Sequence, residues 1–528
     1  MAENNEKKIG PVVSVLIPTF NRPRYLSEAL ASALRQSYRN LQIIVINDGG
    51  EDVSDIINSF NDSRIVFINR KENRGKASSL NEALIRAGGE YIAYLDDDDL
   101  FYPNHIETLV NALENETDCL VAYSDLYKVY CKVMPDGSRQ VLSKVVEVSR
   151  DFDRFFMLYF NHVLHPSLMH RRDVLQKTGL YNENLKILID WDMTRRLAFF
   201  TDFKHVYEIT GQHYTPTGES DRISVQQRKD KNEYARNVLA IRTTRPAKPW
   251  RKIEDMSIIF VADLLNQQAG ETLGLIWHHT FYPYKVYLPL PEADFNRIDT
   301  DMPNITLVPV NPLFSHAQKI DTSLAGCEGE YIVIVPSGFP VERMWIEDSL
   351  YALINSSVSR QGFELEGSTD TFWAAVLRKG DLQYARSSFP NLSVRESLKA
   401  ADIALRHPCP EELPFQFDIL VKGVRMAEKD GNWAKAAQML EYIADNHQNK
   451  LWMKTLAAKA FYKTGNFAQA LKLSSEVNQQ RPTVNTLLLE AKIYRKKRDF
   501  GSAIELLERA GQILGNPIKK IEIQSGNP

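Results

Sequence analysis

From Val12 the chain alternates short apolar runs with segments whose apolar residues return every three or four positions. Val12 to Ile17, Leu41 to Ile46, Arg64 to Ile68 and Tyr91 to Leu95 have the length and composition of buried strands. Between them, Tyr25 to Leu34, Val53 to Phe60 and Ser78 to Ala87 carry helical spacing. Strand, helix and strand in repetition predict a mainly parallel sheet with helices on both faces. In such a sheet the loops that follow the strands gather along one rim, where ligands bind. Three polar loops should therefore meet: Pro18-Thr19-Phe20-Asn21, Asn47-Asp48-Gly49-Gly50, and four consecutive acids, Asp96 to Asp99.

The pattern then changes twice. A basic, proline-punctuated stretch from about Arg228 to Arg251 reads as a linker, after which the first pattern begins again. "SIIFVADL" at Ser257 parallels "SVLIPTFN" at Ser14, and Gly329-Glu330-Tyr331-Ile332 repeats Gly89-Glu90-Tyr91-Ile92 at an offset of 240 residues. "IEDSLYAL", ending at Leu353, follows "IETLVNAL", ending at Leu113. Where the first copy has its four acids, the second has Pro336-Ser337-Gly338-Phe339, which offers a cation no anchor. Met256 to His407 therefore reads as a degenerate copy of the first domain that has kept its sheet and lost its chemistry, with a different α/β domain sharing the pattern as the alternative. Further on, "GNWAKAAQML" at Gly431, "GNFAQALKLS" at Gly465 and "RDFGSAIELL" at Arg498 recur at about the 34-residue interval of tetratricopeptide repeats. Trp433/Ala436, Phe467/Ala470 and Phe500/Ala503 stand three apart, and Ala458 and Ala491 precede their aromatics by nine, as large and small residues do in the core of stacked helix pairs. The groove of such an array would take an acceptor protein, another enzyme or a second copy of this chain.

With 528 residues, 44% of them hydrophobic, the chain has material for three cores: 11–243, 256–407 and 415–516. A formal charge of -3 argues against nucleic acid as the main partner. The four cysteines, Cys119, Cys131, Cys327 and Cys409, have neither metal-ligand spacing nor disulfide density, as expected of reduced thiols in the cytoplasm. The polar start offers no signal peptide or membrane span, so any membrane association is expected to be peripheral, at the inner face.

Carboxylates as close as Asp96 to Asp99 repel one another unless something positive holds them. A solvated acidic turn is the bland reading. Directly after a core strand, a hard divalent cation, Mn2+ or Mg2+, bridging to the phosphates of a nucleotide explains them better. Five collinear stretches, "VSVLIPTFNRPRYL", "IIVINDGG", "ENRGKASSLNEALIRAGGEYIAYLDDDDLFYPNHI", "HPSLMHRRDVL" and "LIDWDMTRRLA", make Pro11 to Ala240 resemble the inverting family 2 glycosyltransferases of the GT-A fold.

That resemblance implies a set of roles. Asp98 and Asp96 would be metal ligands, and Asp97 would face the ribose or share the metal shell. Asp99 would orient the loop or cap the helix after it. Asp48 would bond a base N–H of uracil or a similar ring, unless it is a plain turn residue; Asn47 departs from the family's usual second acid there. Pro18, Thr19, Phe20 and Asn21 would line the nucleotide cleft, although Thr19 and Asn21 could equally cap a helix. Arg74, Gly75 and Lys76 would approach the diphosphate, or form a surface basic loop. Asp190 would be the base that deprotonates the acceptor hydroxyl, with helix capping as its alternative and Asp192 as a lesser candidate. His165 and Ser167 would wall the acceptor pocket. His213, in "GQHYTPTGESDRIS", would complete the metal shell from a mobile lid.

The expected activity is transfer of a sugar from a nucleotide donor, a UDP-sugar foremost, to a hydroxyl of a surface glycan, a lipid-linked saccharide or a protein. A noncatalytic scaffold built on two sheet domains is the reading from another class. A dinucleotide-dependent dehydrogenase would want Gly-X-Gly-X-X-Gly after its first strand, where this chain has Pro18-Thr19-Phe20-Asn21. A glycoside hydrolase would not need an acid cluster at a nucleotide-type strand end.

Overall fold

The computed structural model describes residues 10–146, 149–217, 230–298, 304–365, 368–369, 372–407, 424, 427–446 and 450–514. Its contacts group the chain into two units, one of residues 1–230 with 417–528 and the other of 231–416.

In the first unit β1 (Val13–Thr19), α1 (Pro23–Leu34), β2 (Leu41–Asn47), α2 (Ser54–Phe60), β3 (Ile65–Asn69), α3 (Lys76–Arg86) and β4 (Tyr91–Tyr94) alternate as the pattern predicts. Their strands pair in parallel in the order β3-β2-β1-β4. Helices cover both faces, so β1 and β4 are buried along nearly their whole length and read as continuous apolar runs. Beyond β4 the sheet turns mixed. β8 (Leu168–Arg171) is antiparallel to β4 and to β6 (Val121–Val133), and β6 is parallel to β9 (Phe203–Pro216). β5 (Leu100–Phe101) closes the order against β9, and β7 (Arg139–Val145) forms a hairpin with β6. Register sets the rim: Thr19 pairs with Asn47, and the Asp48 N–H donates to the Thr19 carbonyl at 2.9 Å. Helices α4 (His105–Asn115), α5 (Arg154–Tyr159), α6 (Leu175–Thr178) and α7 (Ile189–Leu197) complete this part.

One expectation is corrected here. Gly211 to Pro216, the start of the expected lid, is the end of strand β9, because its backbone pairs with β5 and β6; residues 218–224 of that stretch lie outside the described residues.

The second unit starts with a helix, Lys231–Thr243, in the stretch read as a linker; Tyr234, Asn237 and Ile241 recur at helical spacing, and Ile241 is buried. Its sheet runs β12 (Ile305–Pro309), β11 (Tyr284–Leu290), β10 (Met256–Val261), β13 (Tyr331–Pro336), β15 (Ala375–Arg378), β14 (Gln361–Glu364) and β16 (Ala404–Arg406). Both this order and the sense of each pairing match β3-β2-β1-β4-β8-β6-β9 of the first unit. Individual bonds recur as well. Gly89 N–H donates to Ser14 Oγ at 2.9 Å and Gly329 N–H to Ser257 Oγ at 3.0 Å. A Cβ on Gly89 would sit 2.6 Å from the Ser14 nitrogen, and one on Gly329 2.7 Å from the Ser257 nitrogen, so both positions require glycine. Arg172 Nη1 donates to the Ala87 carbonyl and Lys379 Nζ to that of Cys327, each at 2.7 Å.

Among the described residues the carboxyl-terminal part of the first unit is helical, with Trp433–Asn446, Lys450–Lys463, Phe467–Gln480, Val484–Lys496 and Phe500–Leu514. Gly431 and Gly465 take positive φ before Asn432 and Asn466, whose side chains accept from the N–H groups of Lys435 and Gln469 and so start the next helix. Ala436, Ala458, Ala470, Ala491 and Ala503 are all buried between helices. Their aromatic partners are less enclosed than expected, Phe500 being 45% exposed. Cys119, Cys131 and Cys327 are in no disulfide, and Cys409 lies outside the described residues. No helix among the described residues is long and apolar enough to cross a membrane.

Candidate functional site

The four acids follow β4 in a tight turn, closed by the Asp99 N–H on the Asp96 carbonyl at 3.0 Å. One oxygen each of Asp96, Asp98 and Asp99 lies within 4.8 Å of the others, a hard oxygen set of the kind that holds Mg2+ or Mn2+. Each acid has a different counterpart. Lys76, at the start of α3, reaches Asp96 at 2.6 Å, and the His165 ring nitrogen Nδ1 stands 3.8 Å from the same oxygen. Thr19 Oγ1 donates to Asp97 at 2.8 Å, and Arg22 Nη1 bridges Asp97 and Asp98 at 3.2 and 3.1 Å. Asp99, fully buried, takes the His213 ring at 2.8 Å and the Tyr214 N–H at 2.9 Å from β9.

The electrostatics follow from this layout. Burial opposes the charged form of Asp96, but Lys76 and His165 overcome it and hold the carboxyl well below its ordinary range. Burial likewise works against charge on Lys76, and the carboxylates of Asp96, Asp190 and Asp98 outweigh it and raise its pKa. Asp97 goes the other way: burial, then the charge of Asp98, push it up to about 7 against the pull of Arg22 and Thr19. A rim that makes one acid retain its proton near neutrality is short of positive charge, which is the fit a divalent cation meets.

Asp48 is buried, and its oxygens are engaged by the chain itself: Oδ1 accepts from Arg70 Nη1 at 2.9 Å and Arg74 N–H at 3.0 Å, and Oδ2 from Gly75 N–H at 2.8 Å. It therefore pins the Arg74-Gly75-Lys76 loop to the end of β2. Asn47, in place of an acid, ties the same turn through the Glu51 carbonyl at 2.9 Å and Asn69 at 3.0 Å. Asn21 adopts φ of 54° and accepts from Glu51 N–H at 2.8 Å, so the loops after β1 and β2 are linked. Pro18 is half-buried, whereas Phe20 and Arg74 are exposed on the rim.

Asp190 is the second residue of α7, which starts at Ile189 directly after Leu188, left-handed with φ of 60°. Asn161 Nδ2 donates to its Oδ2 at 3.0 Å and orients the carboxylate. Asp192 is fully buried and paired with Arg196 through bonds of 2.6 and 3.0 Å, so it serves the packing of α7. His165 stacks on Tyr94 at 4.3 Å between ring centroids and bonds the Tyr181 hydroxyl through Nε2 at 2.8 Å. Ser167 is buried and donates to the Leu164 carbonyl at 2.7 Å.

The structure thus brings Thr19, Lys76, Asp96 to Asp99, His165 and His213 into one cluster, with Asp190 close enough for its charge to act on Lys76. Sequence reasoning missed Arg22, Arg70, Asn161 and Arg139 of β7, whose Nη1 donates to the Asp98 carbonyl at 2.6 Å. Arg22 lay inside a quoted motif and could have been found there. Nothing in the spacing announces Arg139.

The family model described as glycosyl transferase family 2 matches residues 14–175. An uncharacterized glycosyltransferase of Methanocaldococcus jannaschii is 31% identical over 201 residues, which are 37% of this chain and 67% of the relative. One of Rickettsia prowazekii is 33% identical over 192 residues, 35% of this chain; the match spans only 58% of that relative's own length. Among solved structures, residues 1–349 of S. aureus TarS match with a TM-score of 0.34 at 17% identity, over 44% of this chain and 64% of that one. Through its amino-terminal GT-A sheet, the chain belongs to glycosyltransferase family 2.

Proposed function

We propose that the protein is an inverting glycosyltransferase that moves a hexosyl group from a nucleotide donor, a UDP-sugar foremost, to a hydroxyl group. The acceptor would be a surface glycan, a lipid-linked saccharide or a protein. The observation that carries this is the convergence of the Asp96, Asp98 and Asp99 oxygens within 4.8 Å at the end of a central parallel strand, beside Lys76 and Arg22. Asp96 and Asp98, with Asp99 or His213, would hold Mn2+ or Mg2+. Bound there, the ion would offset charge on the diphosphate leaving group. The chain's own part is to bind and orient. Lys76 and Arg22 offer two cations to the diphosphate, and the loop pinned by Asp48 presents Arg74 and Gly75 beside it. Asp190, held by Asn161, would take the acceptor proton as that oxygen attacks the anomeric carbon and the bond to the diphosphate breaks; the ring of His165 would form the acceptor wall. The test is turnover of a panel of nucleotide sugars with Mn2+ or Mg2+ and with chelator. Absence of turnover and of nucleotide binding across the panel would sink the reading.

For the second unit a noncatalytic role is favoured, as a copy of the first sheet without a donor site. The matched strand order and recurring bonds support common descent, and the place of the acids is filled by Phe339, which is fully buried and packs near Trp345 and Phe372 at 6.5 and 5.6 Å. Near the place of Asp190, Arg395 is held by Glu364 through bonds of 2.9 and 3.2 Å. Turnover persisting in an Asp98→Ala, Asp190→Asn double variant would contradict this. The carboxyl-terminal helices among the described residues fit tetratricopeptide-like repeats with a partner or self-association role, and the thiols of Cys119, Cys131 and Cys327 suit a cytoplasmic protein.

A further inference from the structure

The hairpin of β6 and β7 folds back over the acid loop. Its turn is fastened to α1 by Arg24 Nη1 on the Asp136 carbonyl at 2.5 Å and by the Tyr25 hydroxyl on the Gly137 carbonyl at 3.0 Å. Arg139, the first residue of β7, is almost wholly enclosed, its side chain 6% exposed. Besides its bond to the Asp98 carbonyl, its guanidinium lies over the Tyr214 ring at 3.6 Å and the Tyr25 ring at 4.6 Å, and it pairs with Glu28. Tyr214 in turn donates its N–H to Asp99. A single side chain therefore holds the backbone of one acid and the ring of the residue that holds another.

The helical tail packs on the same hairpin. Ile513 of the last helix packs against the cluster of Tyr127, Val129, Cys131 and Tyr214. A second anchor lies further back along β6, where Arg481 pairs with buried Asp125 and donates to Ser149. Asp125 also accepts from Ser149 Oγ and bonds the His205 ring, each at 3.0 Å. One strand, β6, is thus held at Asp125 and again at Val129 to Cys131 by residues of the tail more than 300 positions later in the chain.

We propose that the helical tail is a built-in brace for the acid loop and that Arg139 is the positioning residue through which it acts. The significance of the loop rests on the metal-dependent reading above; the brace itself does not. A guanidinium suits the role because its planar fork can bond a carbonyl and a carboxylate while stacking on an aromatic ring. Losing it, or undocking the last helix, should let the Asp96-to-Asp99 turn relax and its oxygens spread.

The experiment measures two things on full-length protein: amide hydrogen exchange in peptides covering residues 96–101 and 211–216, and Mn2+ affinity by electron paramagnetic resonance. The variants are Arg139→Ala, Arg139→Lys, Ile513→Asp and Arg481→Ala, with Leu313→Asp, at an exposed position of the second unit, as control. Arg139→Ala and Ile513→Asp should each speed exchange in both peptides and weaken Mn2+ binding about tenfold or more, as loss of an outer-shell partner does. Arg481→Ala should give the same direction, and Arg139→Lys should restore part of the loss. Unchanged exchange in the acid-loop peptide of Ile513→Asp and Arg481→Ala, with Asp98→Ala abolishing Mn2+ binding, overturns the brace and leaves the metal reading standing. Faster exchange in those variants, with no saturable Mn2+ binding by the wild type, supports the brace and removes the metal reading.

Discussion

Replacing Asp48 with asparagine isolates what a buried carboxylate does at the end of β2. Its side chain accepts three donors, Arg70 Nη1, Arg74 N–H and Gly75 N–H, at 2.9, 3.0 and 2.8 Å, and is only 6% exposed, so water screens little of this. Asparagine keeps one acceptor oxygen and sets an NH2 group where the other stood. At least one N–H then faces another donor. A hydrogen bond to a charged acceptor contributes about 1.5–3 kcal/mol, so losing one and weakening the rest should cost roughly 2–4 kcal/mol. Arg70 retains Glu82 at 2.6 and 2.8 Å, which keeps the figure from rising further. In a protein of two units a single global midpoint is ill defined, so the assay is native-state hydrogen exchange at the Arg74 and Gly75 amides. At tenfold per 1.4 kcal/mol, their protection should fall by roughly 30-fold to 1000-fold. Affinity for UDP should fall with it, because the loop proposed to face the diphosphate loses its tether. Protection within about threefold of the parent would refute the idea that Asp48 organises this loop.

Three further outcomes are expected. Asp98→Ala should abolish saturable Mn2+ binding and release Arg22 Nη1 from its 3.1 Å pair with Asp98 Oδ2; calorimetric titration with Mn2+ checks it. Asp190→Asn should lower kcat by roughly 10²-fold to 10⁴-fold, the usual worth of a general base, with donor KM nearly unchanged; steady-state kinetics with varied donor would expose a wrong assignment as near-normal kcat. In the second unit, Glu347 is fully buried, and burial pushes it up to about 7 from about 4.5, although it accepts from the Phe281 and Tyr282 N–H groups. The folded form holds a proton that the unfolded chain releases, so the stability this contributes is complete below about pH 4.5 and is lost as pH rises through 7, on the order of 3 kcal/mol at 1.36 kcal/mol per unit. Glu347→Gln should flatten that dependence between pH 5 and 8 in the native-state hydrogen-exchange protection of the Phe281 and Tyr282 amides, and an unchanged slope would count against it.

Much of this was legible before any coordinates. The parallel half of the first sheet follows from runs such as Leu41 to Ile46, whose apolar continuity reflects burial on both faces, and the rim follows from the loops after them. The tail's alanines were legible because a repeat shows its spacing whatever its partners. Residues acting at long range were not. Arg139 lies in a hairpin with no periodic signature, and its value depends on Tyr214, 75 positions later. The strand identity of Gly211 to Pro216 was hidden for a similar reason: Gln212 and His213 are polar because they bond the Tyr102 hydroxyl and Asp99, and only pairing with β5 and β6 makes the segment extended. Asp48 looked free to meet a base because nothing local reveals that the backbone of Arg74 and Gly75 returns to it.

The second sheet supplies an internal control for the acids of the first. Its strands keep the same order, and Ser257 and Gly329 keep the close approach seen at Ser14 and Gly89, although its rim carries Pro336-Ser337-Gly338-Phe339. A sheet of this design therefore closes without four carboxylates after its central strand. Phe339 fills the space with apolar surface that needs no counter-charge, whereas burial and the charge of Asp98 push Asp97 toward its protonated form. Retaining four mutually repelling groups where an aromatic ring would pack more cheaply is a standing cost to folding. Such a cost persists where the charges act on something outside the protein, and the cation proposed to be shared with a diphosphate would meet that need.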